Sequence, residues 1–260
     1  MRRIVTLELL TMALLLGWGL TTALADPSGD CSITADRHEG RLQFSVNHPN
    51  CNDGGHCNEY DSGMSWSRWS GITPSDLQRE GASIDARLNA EAGEMHCVGT
   101  VHEAALRGTY SFTPHPEFVQ RMEALGFHDQ TTDRLRGYTM LDVTIEWTKS
   151  MKDLGIKDMT SDNLMGLKAL GVDPAYVRGM ANAGYPELEA GKLTSMKAVG
   201  VSPEKVQQVR DMGYKPTEEE LIQMSVFKID GPFVASMKAR GFKNLTIAQL
   251  VQIKVFKLDE

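Results

Sequence analysis

The chain has 260 residues, 27 basic against 34 acidic side chains for a formal net charge of −7, and 41% apolar residues. That length holds one domain or two, and the acidic balance argues against nucleic acid and anionic membrane surfaces as partners. Its four cysteines, Cys31, Cys51, Cys57 and Cys97, all fall in the N-terminal half, so the redox compartment decides how they are read.

The first 25 residues read as a secretory signal peptide: a basic start at Arg2-Arg3, an apolar run from Leu9 to Leu16, and a small-x-small site at Ala23-Leu24-Ala25 before Asp26. Glu8 interrupts the apolar region, and retention as an N-terminal anchor is the alternative. Cleavage removes Arg2, Arg3 and Glu8, leaving 25 basic and 33 acidic side chains, net −8. No later stretch is long and apolar enough to span a membrane, so no span is expected after cleavage. The expected location is periplasmic or secreted.

Residues 26–113 read as a disulfide-bearing β domain. In an oxidising compartment four cysteines form two bridges, with three pairings open. Cys51–Cys57 across the loop Asn-Asp-Gly-Gly-His, leaving Cys31–Cys97, is the favoured pairing. The alternative is a metal site, because His56 precedes Cys57 and His96 precedes Cys97, but it needs free thiolates. No metal or other cofactor is expected.

Leu42, Phe44 and Val46 alternate with polar residues, as do Ile84, Ala86, Leu88 and Ala90. Met95, Cys97 and Val101, then Tyr110 and Phe112, keep the same period of two, which predicts a small antiparallel sheet. Ala92-Gly93 and Arg107-Gly108 are the expected turns. One short helix is expected to interrupt the strands, capped by Thr73, with Pro74 in its first turn and Leu77 facing inward.

Residues 114–260 change to a helical period and predict a short α-solenoid, so the whole reads as α+β. Gly126, Gly155, Gly184, Gly213 and Gly241 recur at spacings of 29, 29, 29 and 28, and self-similarity at that period marks stacked two-helix units. The first helix of a unit runs from proline to glycine, as in Pro174-Ala175-Tyr176-Val177 to Met180 and Gly184. Around Trp147 the proline is missing, so that helix is expected to run on from Leu141. The second helices are marked by Leu164, Leu193, Leu221 and Leu250, with Thr160, Thr217 and Thr246 as candidate caps.

The strings SGITPSDLQ, GTYSFTPHPEFVQRMEALGF and GVDPAYVRGMANAGYPELEAGKLTSMKAVGVSPEKVQQVRDMGY resemble an exported helical-repeat region of bacterial proteins. That region lies C-terminal to membrane metallopeptidases of the beta-lactam-sensor type and also occurs in stand-alone secreted proteins. The resemblance covers about residues 66–257 and implies a periplasmic accessory or sensory module that binds another macromolecule. It carries no peptidase activity here: His102-Glu103-Ala104-Ala105-Leu106 lacks the second histidine of the zinc motif. The string GVSPEKVQQVRDMGYKPTEEELIQM also resembles a helix-hairpin-helix, a module that binds DNA phosphates. Its turns lack the second glycine, Asp173 stands in one of them, and the net charge is acidic, all of which oppose that reading.

Several columns compete for a binding role. Lys168, Lys197 and Lys254, interrupted by Ser225, end the second helices, where they either satisfy the helix dipole or meet an acidic partner. Trp66 and Trp69, beside Arg68, either pack in the sheet or contact a glycan or peptide. The methionines at 122, 151, 180 and 237 share positions with Val209 and read as core. Phe127, Tyr185, Tyr214 and Phe242 follow the glycines and read as folded back on their own helices. No catalytic or metal-binding set emerges. The resulting expectation is an exported protein that binds an unknown protein or envelope component, with an envelope enzyme or glycan-binding site near His96, His102 and the tryptophans as the alternative.

Overall fold

Leu42, Phe44 and Val46 are buried while Arg41 and Asn47 at either end of the same strand are exposed, the signature of a strand with one face on a core. The computed structural model describes residues 29–38, 40–47 and 58–258. The N-terminal segment read as a signal peptide and the expected Cys51–Cys57 bridge lie outside the described residues. Within them the chain is α+β, with seven antiparallel strands followed by ten helices.

The strands are β1 (Gly29–Ala35), β2 (Arg41–Asn47), β3 (Asn58–Ser65), β4 (Trp69–Ser70), β5 (Ser83–Ala90), β6 (Gly93–His102) and β7 (Ala105–Pro114). Their order is β3-β2-β1-β7-β6-β5-β4. First and last strands pair in the middle of the sheet, and the two edge strands β3 and β4 are joined by the 3-10 turn Trp66–Arg68. A three-residue link cannot reach across a flat seven-stranded sheet, so the sheet curls towards a barrel.

The curl is tightest at β7. Cys31 on β1 and Cys97 on β6 are bonded to each other with Cα atoms 6.0 Å apart although β7 lies between their strands; next-nearest strands in a flat sheet stand roughly 9–10 Å apart. Beneath this bond Gly99 pairs with Gly108, and a Cβ on Gly108 would sit 2.0 Å from the Val98 carbonyl oxygen. Arg107-Gly108 is therefore not a turn: the glycine serves close approach inside β7. The turn falls at Glu103-Ala104, both at positive φ, and the preceding hairpin turns at Glu91-Ala92, one residue before the expected pair.

The expected helix after Thr73 is only a 3-10 turn, Asp76–Gln78, with Leu77 buried. Thr73 donates through both its N–H (2.7 Å) and its hydroxyl (2.7 Å) to the Asp76 carboxylate, and that local bonding closes a turn rather than starting a helix.

The helices form five successive pairs. First helices are α1 (Pro116–Ala124), α3 (Ile145–Lys152), α5 (Pro174–Asn182), α7 (Pro203–Asp211) and α9 (Gly231–Ala239); second helices are α2 (Thr132–Leu141), α4 (Ser161–Ala169), α6 (Ala190–Ala198), α8 (Glu218–Val226) and α10 (Ile247–Val255). Helices of eight to ten residues are marginal alone, and packing holds them: α2 contacts α4, α4 contacts α6, α6 contacts α8 and α8 contacts α10. Thr144 caps α3 after Asp142 takes a left-handed conformation, so α3 does not run on from Leu141. In eight of the ten helices the residue before the first turn accepts from the third N–H within, Thr160, Thr217 and Thr246 among them. Each such cap stabilises its helix by about 1 kcal/mol.

The core does not stop where the strands do. One buried cluster runs from Ile33 and Phe44 in the sheet through Phe118, Leu135 and Tyr138 to Leu164, and a second from Met151 to Ile253, with Trp147 and Met159 against both. α2 packs against the buried face of β5, β6 and β7. Arg136 on α2, 1% exposed, lies 6.0 Å from the Tyr110 ring centroid.

Candidate interaction surface

The lysine column is placed by the second helices against the first. Lys168 Nζ stands 5.0 Å from the centre of the Trp147 ring, Lys197 Nζ 4.5 Å from Tyr176, and Lys254 Nζ 4.1 Å from Phe233. Each pair joins α4 to α3, α6 to α5, or α10 to α9, and each is a cation over an aromatic face. Burial pushes the Lys168 ammonium below its usual range, against the pull of Asp142, and pushes the Tyr176 phenol up to about 12. In the fourth pair the ring position holds Lys205 and the lysine position Ser225. Two lysines there would repel, and the exchange of both residues removes the conflict.

Each of these half-buried lysines thus has an aromatic neighbour within its own helical pair. The spacing of 21 from Trp147 to Lys168, Tyr176 to Lys197 and Phe233 to Lys254 was legible in the sequence, and the joint exchange at Lys205 and Ser225 was the signal that the columns face one another.

A second set of contacts runs between pairs. Tyr138 donates to the Ser161 carbonyl (3.0 Å), Tyr176 to Val201 (2.9 Å), Tyr185 to Pro216 (2.6 Å) and Tyr214 to Leu245 (3.0 Å). Lys152 Nζ donates to the Leu125 carbonyl, at the end of α1, where helix carbonyls lack partners. The Arg210 guanidinium lies over the Tyr185 ring at 6.0 Å. The glycine column supports this: Gly126, Gly184, Gly213 and Gly241 have φ between +91° and +95°, and the next residue's N–H returns to the helix, Tyr185 to Met180 at 3.0 Å for example.

Two clefts open beside these turns and share Gly213 and Tyr214. One, of about 500 Å³, is lined by Tyr185, Arg210, Lys215 and Pro216; the other, of about 380 Å³, by Tyr214, Val234, Met237, Lys238, Phe242 and Leu250. Tyr185, Tyr214 and Phe242 thus line the clefts, whereas Phe127 is buried in the core.

In the sheet, the two tryptophans divide. Trp69 is 6% exposed, its ring tilted at 59° against Phe44 with centroids 4.8 Å apart, and its indole Nε1 donates to Met64 Sδ at 2.9 Å. It closes the curled sheet and offers no contact surface, because a large apolar ring beside the β3–β4 junction is drawn into the core. Trp66 is half-buried and donates to the Arg41 carbonyl at 2.9 Å. Arg68 donates to the carbonyls of Met140 (2.5 Å) and Thr139 (2.7 Å), tying the sheet's edge link to the end of α2.

His96 faces outward between Asp85 (3.2 Å) and Glu94 (3.2 Å), and a hydrogen bond from Arg87 holds the Asp85 carboxyl below its usual range. His102 pairs with Glu80 at 2.6 Å. The two histidines are six residues apart on one strand, roughly 20 Å, while Trp69 lies on the opposite face. Among the described residues, His96, His102 and the tryptophans are not brought together. Among the described residues no group of three or more His, Cys, Asp or Glu is placed to hold a metal, and no helix is long and apolar enough to cross a membrane.

Compared with known proteins, the chain matches no family model, no curated protein and no solved structure. The resemblance to exported helical-repeat regions rests on the residues that carry it.

Proposed function

We propose that the protein is an exported interaction module: a disulfide-bearing β domain followed by an α-solenoid of two-helix units of about 29 residues, working by binding another macromolecule through the helical part. The observation that carries this reading is the groove at the ends of α5, α7 and α9, where adjoining clefts share Gly213 and Tyr214. A surface continuous across neighbouring units suits an extended partner, whereas catalysis calls for convergent polar groups in one deep pocket. Export is supported by the Cys31–Cys97 disulfide, because such bonds persist in oxidising compartments, and by the signal-like N-terminus.

The test is affinity capture from the cell envelope with the mature, oxidised protein, combined with cross-linking. A saturable partner whose cross-links fall on residues 174–258 supports the reading. No saturable partner, or cross-links confined to the sheet, overturns it.

A further inference from the structure

The last two helices and the loop between them carry basic charge alone over a run of 28 residues. From Gly231 to Leu258 the chain carries Lys238, Arg240, Lys243, Lys254 and Lys257 and no aspartate or glutamate, in a protein of net charge −7. Lys254 lies over Phe233, but no hydrogen bond or ion pair joins the side chains of Lys238, Arg240 or Lys243 to the described residues. All three are exposed, and so are Phe242 at 47% and Phe256 at 67%. Beside them lies the cleft of about 380 Å³, which has an apolar floor of Val234, Met237 and Leu250 and includes Lys238 in its lining.

We propose that this face of α9 and α10 docks an acidic protein segment, seating one large apolar side chain in the cleft and setting flanking carboxylates against Lys238 and Lys243. The proposal rests on the interaction reading above and names its partner's chemistry. An apolar anchor in a pocket with complementary charge around it is the arrangement that concentrates binding energy at interfaces. Elsewhere the corresponding cation is occupied: Lys152 on the Leu125 carbonyl, Arg210 on the Tyr185 ring. An anionic bilayer would also attract this charge, yet a bilayer presents no single side chain to fill a concave cleft.

The experiment pans the intact oxidised protein against a random twelve-residue peptide display library and measures the enriched peptides by fluorescence anisotropy. Enriched sequences should place acidic residues on both sides of an aromatic or large aliphatic residue. Lys238→Glu and Lys243→Glu should each weaken binding about tenfold, equivalent to about 1.4 kcal/mol, as should alanine in place of the peptide's apolar residue. Lys149→Glu on α3 should leave affinity within about twofold, since its partner is the local Asp153. Circular dichroism checks each fold, and Lys238→Gln replaces the reversal if that one unfolds. Neutral or basic consensus peptides, indifference to the charge reversals, or phosphatidylserine vesicles binding through Lys238 while no acidic peptide does would overturn it. If an envelope partner is captured equally well by wild type and Lys238→Glu, this docking face is wrong while the interaction reading stands; if no saturable partner exists, that reading itself fails.

Discussion

Replacing Gly184 by valine tests the helix-ending geometry quantitatively. Gly184 sits at φ +93°, and a Cβ there would lie 2.8 Å from Arg210 Nη2. The left-handed conformation costs a non-glycine residue roughly 1–2 kcal/mol, and a β-branched one more, so the backbone alone should account for about 1–3 kcal/mol. The clash is with the end of a flexible side chain, which will swing away; what is lost is the Arg210–Tyr185 contact, about 0.5–1 kcal/mol at an exposed site. Gly213 supplies the control, because its φ is +94° and nothing lies within 4 Å of its added Cβ. Gly184→Val should therefore destabilise slightly more than Gly213→Val in urea unfolding. In an Arg210→Ala background the two should become equal. Hydrogen exchange should lose protection around residues 150–240 and keep it at 84–112. Equal stability of wild type and both mutants would refute the geometry, and a Gly184 excess that survives Arg210→Ala would refute the side-chain part of the argument.

Three further outcomes follow from the contacts. Ser225→Lys should lower stability by about 1–2 kcal/mol by facing Lys205 with a like charge in a half-buried site, and Lys205→Tyr in the same chain should recover most of it; urea midpoints of the single and double mutants decide. Cys31→Ser with Cys97→Ser removes a crosslink spanning 66 residues, worth about 4 kcal/mol in the chain-entropy model, and should unfold the sheet at lower urea than the helices, read by site-resolved hydrogen exchange. Burial raises the phenols of Tyr138 and Tyr176 to about 12 from 10.0. Their neutral form is therefore favoured by folding, and this contribution is intact below pH 10 and lost as pH rises through about 12. Tyrosinate absorbance should show two groups titrating late in the folded protein and normally in urea.

Period and punctuation carried the helical half of this molecule: the glycine spacing located left-handed turns, and Thr160, Thr217 and Thr246 located helix starts, because both are decided within a few residues. The closure of the sheet was hidden because β1 meets β7 across some 75 residues, a pairing that alternation cannot reveal. Gly108 misled for a physical reason, since a glycine that permits a turn and one that permits two strands to approach look alike in sequence. Trp69 was read as packing in the sheet or contacting a ligand, and the β3–β4 link places it inside. The lysines were found on the last turns of their helices, where they lie, but the rings facing them were not, as helix spacing gives the face and not what lies opposite.

Six of the bonds that join one helical pair to the next, or the sheet to α2, share one property. Tyr138, Tyr176, Tyr185, Tyr214, Lys152 and Arg68 all donate to backbone carbonyls. A carbonyl is present whatever side chain its residue bears, so each of these bonds constrains the sequence on its donor side only, whereas the ion pairs Arg134–Asp162, Lys157–Glu187 and Lys192–Glu219 constrain both sides. The bonds at Ser161, Val201, Pro216 and Leu245 do not depend on those side chains, and since Ser161, Val201 and Pro216 are themselves buried, the positions free to change are the exposed ones beside them. Lineages of this protein can therefore redraw the surface around those turns one residue at a time, with the donors held fixed, and acquire new specificities without rebuilding the joints between units.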